Sequence, residues 1–200
     1  MSTPHIRKGW YRMNRLAMVL FLLTCIPWLA EAGVQDRWQT LTDAGTTARD
    51  QAQYEDAERL FLLARHEAEQ FEPGDTRVAA TLNHLGLVYH AQGQYGRAKP
   101  YYEQALALWE RIHGTNHVDV ASALNNLAEI YQEEGAFEQA EAAYLRSLTI
   151  GERALGRGHP ELAIGFNNLA RLYRKQGRLV QAESRFRLAL ALLASADGDT

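Results

Sequence analysis

Apolar residues recur along the chain with the spacing of amphipathic helices. Around residue 85 an apolar or small residue returns at i, i+3, i+4 and i+7, which places four side chains on one face of an α-helix; they are Leu82, Leu85, Gly86 and Tyr89. Gly93 follows, and a glycine there can adopt the left-handed conformation that ends a helix. A second apolar face then stops near Gly114 and consists of Tyr95, Ala98, Tyr102, Ala105, Leu106 and Trp109. The pattern predicts two helices joined by a short turn.

This helix pair returns with a period of 42 residues. Three copies coincide at the tyrosines 89, 131 and 173 and at the glycines 93, 135 and 177, and an earlier copy matches with a shift of 41. A period of this length is typical of a solenoid, in which neighbouring repeats bury one another. We therefore predict an all-α repeat domain over 33–194, with a disordered tail at 195–200. Its four units are expected at about 38–79, 80–121, 122–163 and 164–194.

The repeat resembles the tetratricopeptide repeat (TPR), whose pattern alternates large and small residues over two helices. Here the pattern is carried by Leu124, Ala128, Tyr131, Gly135, Phe137, Ala140 and Tyr144, with Ser147 as a departure. The 42-residue spacing and the Asn-Asn-Leu-Ala strings at 125–128 and 167–170 are similar to the kinesin-light-chain subclass. The resemblance covers about 38–194. It implies a right-handed α-solenoid of antiparallel helix pairs that binds proteins.

Composition agrees with this architecture and excludes several classes of function. Of the 200 residues 46% are hydrophobic, and 15 glycines and five prolines are too few for a turn-rich β fold. A formal charge of −3 lacks the basic excess that nucleic-acid binding requires. The single cysteine cannot form an internal disulfide or a zinc ribbon.

The amino terminus has the order of a signal peptide. Four basic residues precede an apolar stretch at 16–30, and Ala30-Glu31-Ala32 offers small residues for cleavage after Ala32. The prediction is export to the periplasm or secretion. The alternatives are an uncleaved membrane anchor formed by 16–30 and, with less support, lipid attachment at Cys25. Residues 1–32 hold four of the 21 basic and one of the 24 acidic residues, so cleavage would leave a formal charge of −6.

The resemblance also implies which residues face a ligand, because in this family the first helix of each pair lines a concave groove. The implied peptide-binding residues are Asn83, Leu87, His90, Asn125, Glu129, Gln132, Asn167, Arg171 and Arg174. The recurring asparagines at 83, 125 and 167 could form an amide ladder for a peptide backbone. Alternatively, they could bond neighbouring helices.

Charge along these helices changes sign between the third and the fourth unit. Acidic side chains in the third unit (Glu129, Glu133) precede basic ones in the fourth (Arg171, Arg174, Lys175). The basic residues could hold an acidic segment or a carboxy terminus through arginine–carboxylate pairs. The competing expectation is salt bridges between repeats, from Glu129 to Arg171 and from Glu133 to Lys175.

Candidates for chemistry are few. His113, His117 and Asp119 are close in sequence, but they fall in a turn between units, and His159 repeats His117, so we expect polar linker contacts and no metal site. The serines lie in helical repeats, and the chain has no glycine-rich phosphate loop. The sequence therefore predicts a protein that is not an enzyme and needs neither a cofactor nor a small-molecule substrate.

The predicted function is that of an exported scaffold or adaptor that binds a protein or peptide. A membrane partner is expected only if the amino-terminal segment is retained. The alternative is a structural component that forms a homodimer through its last helices, where Leu190, Leu192 and Leu193 have no following helix to cover them. Leu193 is expected to face outward.

Overall fold

The computed structural model describes Gly33 and residues 37–197. The predicted signal peptide at 1–32 and residues 198–200 of the predicted tail lie outside this part of the chain. Within it the regular structure is eight helices in four pairs. They are α1 (37–50), α2 (Tyr54–Ala68), α3 (Arg77–Ala91), α4 (Tyr95–His113), α5 (Val118–Glu133), α6 (Phe137–Leu155), α7 (Leu162–Lys175) and α8 (Leu179–Asp197).

The later pairs begin slightly upstream of the predicted unit boundaries. Their first helices start at Arg77, Val118 and Leu162, whereas the expected units start at 80, 122 and 164. The reason is that a period gives the length of a unit but not its phase. At the other end, α8 continues to Asp197, three residues into the segment assigned to a disordered tail. The Ser195 hydroxyl donates to the Leu192 carbonyl at 2.8 Å in this last part of the helix.

The turn inside each pair has the same backbone. In the second repeat the Gln94 N–H donates to the Tyr89 carbonyl at 2.9 Å, and equivalent bonds of 2.8–2.9 Å close the other three turns. Gly93 has a φ of 70° there, and Gly135 and Gly177 are similar. In the first repeat Ala52 takes this position with a φ of 59°. The first repeat therefore keeps the turn without the glycine that normally accommodates it.

The two helices of a pair approach closely where a glycine of the first helix faces an aromatic ring of the second. A Cβ added at Gly86 on α3 would lie 2.5 Å from the ring of Tyr102 on α4, and Tyr102 is fully buried. The first repeat has the same arrangement, because a Cβ added at Gly45 on α1 would lie 2.9 Å from the ring of Phe61 on α2. Aromatic rings of this size contribute most of the buried apolar surface. The pairing of a small residue with a ring is what sets the two helices side by side.

Adjacent repeats are also joined by a recurring polar contact of a tyrosine. The Tyr89 hydroxyl donates to Glu58 on the preceding α2, and the Tyr173 hydroxyl donates to Glu141 on the preceding α6 at 2.8 Å. At the junction between them the ammonium of Lys99 lies 4.9 Å from the ring centre of Tyr131. Each tyrosine thus contacts a charged side chain of the repeat before it. No helix in the described residues is both long and apolar enough to span a bilayer.

Candidate protein-binding surface

The nine residues implied as ligand contacts occupy matching positions on α3, α5 and α7. We refer to them together as the first-helix surface; they are Asn83, Leu87, His90, Asn125, Glu129, Gln132, Asn167, Arg171 and Arg174. Exposure of these side chains differs from helix to helix. The members on α3 are half-buried, whereas those on α7 are all exposed. The open part of this surface is therefore on the fourth repeat.

Asparagine side chains join the first helices of neighbouring repeats. The Nδ2 of Asn126 donates to the Oδ1 of Asn83 at 2.9 Å, and the Nδ2 of Asn168 donates to the Oδ1 of Asn125 at 3.1 Å. Each contact pairs the second asparagine of one repeat with the first asparagine of the repeat before it. Two of the three recurring asparagines thus bond a neighbouring helix, which is the second of the two uses that the sequence left open.

The partners in this ladder, Asn126 and Asn168, are functional residues that sequence reasoning missed. The signal was present, because the chain has two consecutive asparagines in the third and fourth repeats. The two consecutive asparagines of the fourth repeat, Asn167 and Asn168, differ in exposure. Asn168 is only 5% exposed and also donates to Glu129 at 3.2 Å. Asn167 is exposed, and its side chain makes no hydrogen bond to any described residue.

The acidic residues of α5 are already engaged by neighbouring repeats. Glu133 accepts from the ammonium of Lys175 at 3.1 Å, and that hydrogen bond lowers the pKa of the Glu133 carboxyl. The expected bridge between Glu129 and Arg171 does not form. Glu129 instead accepts from Asn168 and lies 3.7 Å from the Nε2 of His90. One of the two predicted salt bridges between repeats is therefore present.

Two arginines of α7 remain without an acidic partner. Arg171 and Arg174 are exposed and three residues apart, so their side chains lie on neighbouring turns of one helix face. Neither forms an ion pair with any carboxylate in the described residues, although Lys175 and Arg178 beside them do. The guanidinium groups present planar donors suited to carboxylates.

The remaining positions of the surface differ in accessibility. Gln132 is 4% exposed, and its Nε2 donates to Glu133 at 3.3 Å, so this side chain is covered rather than open as the resemblance implied. Its Oε1 is buried without a hydrogen-bond donor among the described residues. At the amino-terminal end Leu87 and His90 line a shallow depression of about 220 Å³ together with Arg49 of α1 and Ala91.

The histidines of the turn after α4 lie closer together than the sequence suggested. His113 is the last residue of α4, His117 caps α5, and Asp119 lies in the first turn of α5. The two imidazole rings stack with centroids 4.0 Å apart. The equivalent turn after α6 contains His159, but Leu155 stands where α4 has His113. The prediction that all three residues fall in a turn is wrong for two of them, because His113 ends α4 and Asp119 lies in the first turn of α5.

The comparison with known families agrees with this repeat geometry. The model of a family described as "Tetratricopeptide repeat" matches residues 77–150 and 119–195, which together span more than half of the chain. The chain belongs to the tetratricopeptide repeat family. No curated protein matches it.

Solved structures place this TPR protein among repeats of the kinesin-light-chain type. BtubC (BKLC) from P. vanneervenii is 25% identical with a TM-score of 0.71, over 77% of this chain and 61% of that one. The present chain thus spans less than two thirds of that relative. A putative kinesin light chain from Podosopora anserina, described as having nearly identical TPR-like repeats, is 21% identical with a TM-score of 0.68, over 80% and 76% of the two chains. The all-α solenoid prediction is confirmed.

Proteins of the TPR family are typically scaffolds that bind other proteins without chemistry of their own. The fold itself does not specify a partner, since the same repeats serve many unrelated roles. In the part of the chain that the structure describes, the first helix of the fourth repeat leaves Arg171 and Arg174 without an acidic partner.

Proposed function

We propose that the protein is an exported, non-catalytic TPR scaffold that binds an extended acidic segment, or a free carboxy terminus, of another protein along its first-helix surface. Arg171 and Arg174 carry this proposal. They are two exposed cations on one face of α7, and Glu129 and Glu133 of the preceding repeat are bonded to other side chains. A ligand carboxylate would supply the bidentate acceptor that each guanidinium lacks in this protein.

The rest of the surface supports a ligand that lies along several repeats. Asn167 adds an unpaired amide beside the arginines, which can donate to or accept from a peptide backbone. The depression beside Leu87 and His90 can hold an apolar side chain two repeats away. The hydrogen bond between Asn125 and Asn168 keeps the first helices in fixed relative positions. Ligand binding therefore loses less conformational entropy.

Fluorescence anisotropy with defined peptides tests this proposal. The probes are a labelled peptide rich in Asp and Glu with a free carboxy terminus, the same peptide amidated, and a version with Lys in place of the acidic residues. We expect the acidic peptides to bind and the Lys version not to bind. Replacing both Arg171 and Arg174 with Ala should weaken binding at least about tenfold, because hydrogen bonds to charged groups contribute about 1.5–3 kcal/mol each.

A second double variant controls for the loss of charge. Arg59 and Arg157 are exposed and pair only with residues of their own helix or turn, Asp56 and Glu152. Replacing both with Ala removes the same charge and should leave the affinity unchanged. Equal affinities for the acidic and the Lys peptide, or equal losses in the two double variants, would contradict the proposed ligand.

Export rests on the amino-terminal sequence and has a separate test. The basic residues, the apolar stretch 16–30 and the small residues up to Ala32 occur in the order that a signal peptidase requires. Amino-terminal sequencing of the protein recovered from outside the cytoplasm should then start at Gly33. Recovery of a chain starting at Met1 in the membrane fraction would support the anchor instead.

Self-association is the second candidate, and the exposed face of α8 favours it. Leu148 of α6 is 7% exposed, because Gly165 of the following α7 packs against it. Leu190 occupies the equivalent position on α8, where no described helix follows, and it is 66% exposed. Leu193 is 50% exposed on the same helix. Apolar surface of this kind could pair two copies of the chain.

A further inference from the structure

Three side chains that can bind metals converge at the junction between the second and third repeats. The Oδ2 of Asp119 lies 3.2 Å from the Nδ1 of His117 and 3.6 Å from the Nε2 of His113. One ligand atom from each of the three residues lies within 4.8 Å of the other two. We refer to this group as the His–His–Asp cluster. It is separate from the first-helix surface, so the two proposals do not depend on each other.

The two spacings from Asp119 to the histidines fit a small cation. In a tetrahedral site with bonds of about 2.0–2.1 Å, neighbouring ligand atoms lie about 3.3–3.4 Å apart. The two distances from Asp119 are close to this value. Two imidazole nitrogens and one carboxylate oxygen are a ligand set that suits zinc and its neighbours in the first transition row, and not calcium or magnesium, which prefer oxygen.

Two arginines of α6 hydrogen-bond to the turn that carries the cluster. The Arg153 side chain on α6 donates to the Oδ1 of Asn116 at 3.2 Å, and Arg146 donates to the Thr115 carbonyl at 3.4 Å. Gly114, with a φ of 78°, ends α4 and turns the chain toward α5. The histidines are thus presented by a turn that α6 supports.

Two existing interactions must give way to a bound cation. The imidazole rings of His113 and His117 stack with centroids 4.0 Å apart, so one ring must turn before both nitrogens direct their in-plane lone pairs at the same ion. The Nδ1 of His117 accepts from the Asp119 backbone N–H at 3.3 Å, a length beyond the usual range for such bonds. Of the nearby cations, Arg146 is paired with Glu110 at 2.5 Å. The carboxyl end of α4, where His113 lies, carries the negative end of the helix dipole, and Asp119 offsets the positive end of α5.

We propose that His113, His117 and Asp119 bind a divalent transition-metal ion of the zinc type, which ties the end of α4 to the start of α5. The three protein ligands leave at least one coordination position for water. The metal spans the junction between two repeats, and it stabilises the folded chain because the unfolded chain does not hold the three ligands together.

Calorimetric titration of the untagged, chelator-treated full chain with zinc chloride tests the site. We expect one equivalent of zinc to bind. Replacing His113 with Gln should weaken this binding at least about tenfold, since even the loss of a residue that only supports a metal ligand costs about 10–100-fold. Asp119→Asn should have a similar effect. Both variants keep the His117 side chain that caps α5.

The turn after α6 provides the matched control. The Nδ1 of His159 accepts from the Glu161 N–H at 3.4 Å, as His117 does from Asp119, but no histidine corresponds to His113 there. His159→Gln should therefore bind zinc like the wild type. In thermal melts zinc should raise the melting temperature of the wild type and of this control, and not that of His113→Gln.

Two results would overturn the proposal. In the first, the wild type takes up no zinc, and the cluster serves only as a pair of histidine–carboxylate contacts. In the second, zinc binds but His113→Gln and His159→Gln weaken it equally or not at all, so the ion lies elsewhere. Melting in the absence of zinc shows whether each variant is folded, which separates a lost ligand from a lost fold.

Discussion

The Nδ2 of Asn168 donates to the Oδ1 of Asn125 at 3.1 Å and so links the third and fourth repeats through two side chains that are 43 residues apart in sequence. The neighbouring Asn167 has the same side chain but faces solvent. The two consecutive asparagines therefore have different roles. The amide of Asn168 links adjacent repeats, and the amide of Asn167 is exposed on the surface that we propose binds a ligand.

This division predicts opposite results for two adjacent substitutions. Asn168 is itself buried, and Asn168→Ala removes its bonds to the half-buried Asn125 and Glu129, which should lower the free energy of unfolding by about 1–3 kcal/mol. Asn167→Ala should change it by less than about 0.5 kcal/mol and weaken binding of the acidic peptide. Urea unfolding and anisotropy measure the two effects. Equal losses of stability in both variants would contradict the assigned roles.

The turn of the first repeat offers a stabilising substitution. Ala52 has a φ of 59° where the other repeats have glycine, and a residue with a side chain is disfavoured in that conformation by about 1–2 kcal/mol. Glycine loses about 0.5–1 kcal/mol through the greater freedom of the unfolded chain. Ala52→Gly should thus raise the free energy of unfolding by about 0.5–1 kcal/mol.

The same change inside a helix is the control for Ala52. Ala107 is exposed in the middle of α4, and Ala107→Gly should lower the free energy of unfolding by about 0.5–1 kcal/mol. Urea unfolding of the two variants therefore gives shifts of opposite sign. A decrease for Ala52→Gly would show that the first turn does not need a glycine.

Stability should fall in mildly acidic solution because of His84. Its ring stacks on Phe61 with centroids 4.9 Å apart, and its Nδ1 is buried without a partner among the described residues. Burial, and then the charge of Arg49, lower the pKa of His84 from 6.5 to about 4. The unfolded chain therefore binds this proton between about pH 6.5 and 4 while the folded chain does not, and stability is lost as the pH falls through that range.

Urea unfolding at pH 7 and pH 5 measures this loss. The pKa values of Glu133 and Glu141 lie below their ordinary 4.5. Protonation of these carboxylates therefore lowers the free energy of unfolding mainly below the pH range compared here. His84→Phe retains a planar ring on Phe61 but cannot be protonated. We expect its stability to decrease less than that of the wild type between the two pH values. An equal decrease would assign the acid sensitivity to another group.

Association through α8 predicts a defined response to a charge. If two copies pair through this face, Leu190→Glu should shift the sedimentation coefficient at high protein concentration to that of a monomer. Ile164 on α7 is equally exposed, at 66%, and Ile164→Glu should leave association unchanged. A wild-type protein that is monomeric at every concentration would remove this candidate function.

Much of the fold could be predicted because its signals are local. The apolar spacing within each helix and the glycine of each turn depend on residues close in sequence, and the 42-residue period shows that the same helix pair recurs. Leu193 faces outward as predicted, but Leu190 is exposed to a greater extent. Leu190 aligns with the half-buried Leu106, but Leu190 is the more exposed of the two outer leucines because α5 covers Leu106 and no described helix covers Leu190.

The amino-acid sequence by itself thus determined the repeat, the helix pairs and the residue types on their first helices. Only the tertiary structure decided that Asn168 and not Asn167 is buried, that Glu129 meets His90 in place of Arg171, and that the His–His–Asp cluster converges. These outcomes depend on how adjacent repeats rotate against each other. Consecutive side chains on a helix point about 100° apart, so which of them faces the next helix depends on how each helix is rotated about its own axis, and a periodic sequence pattern does not contain that angle.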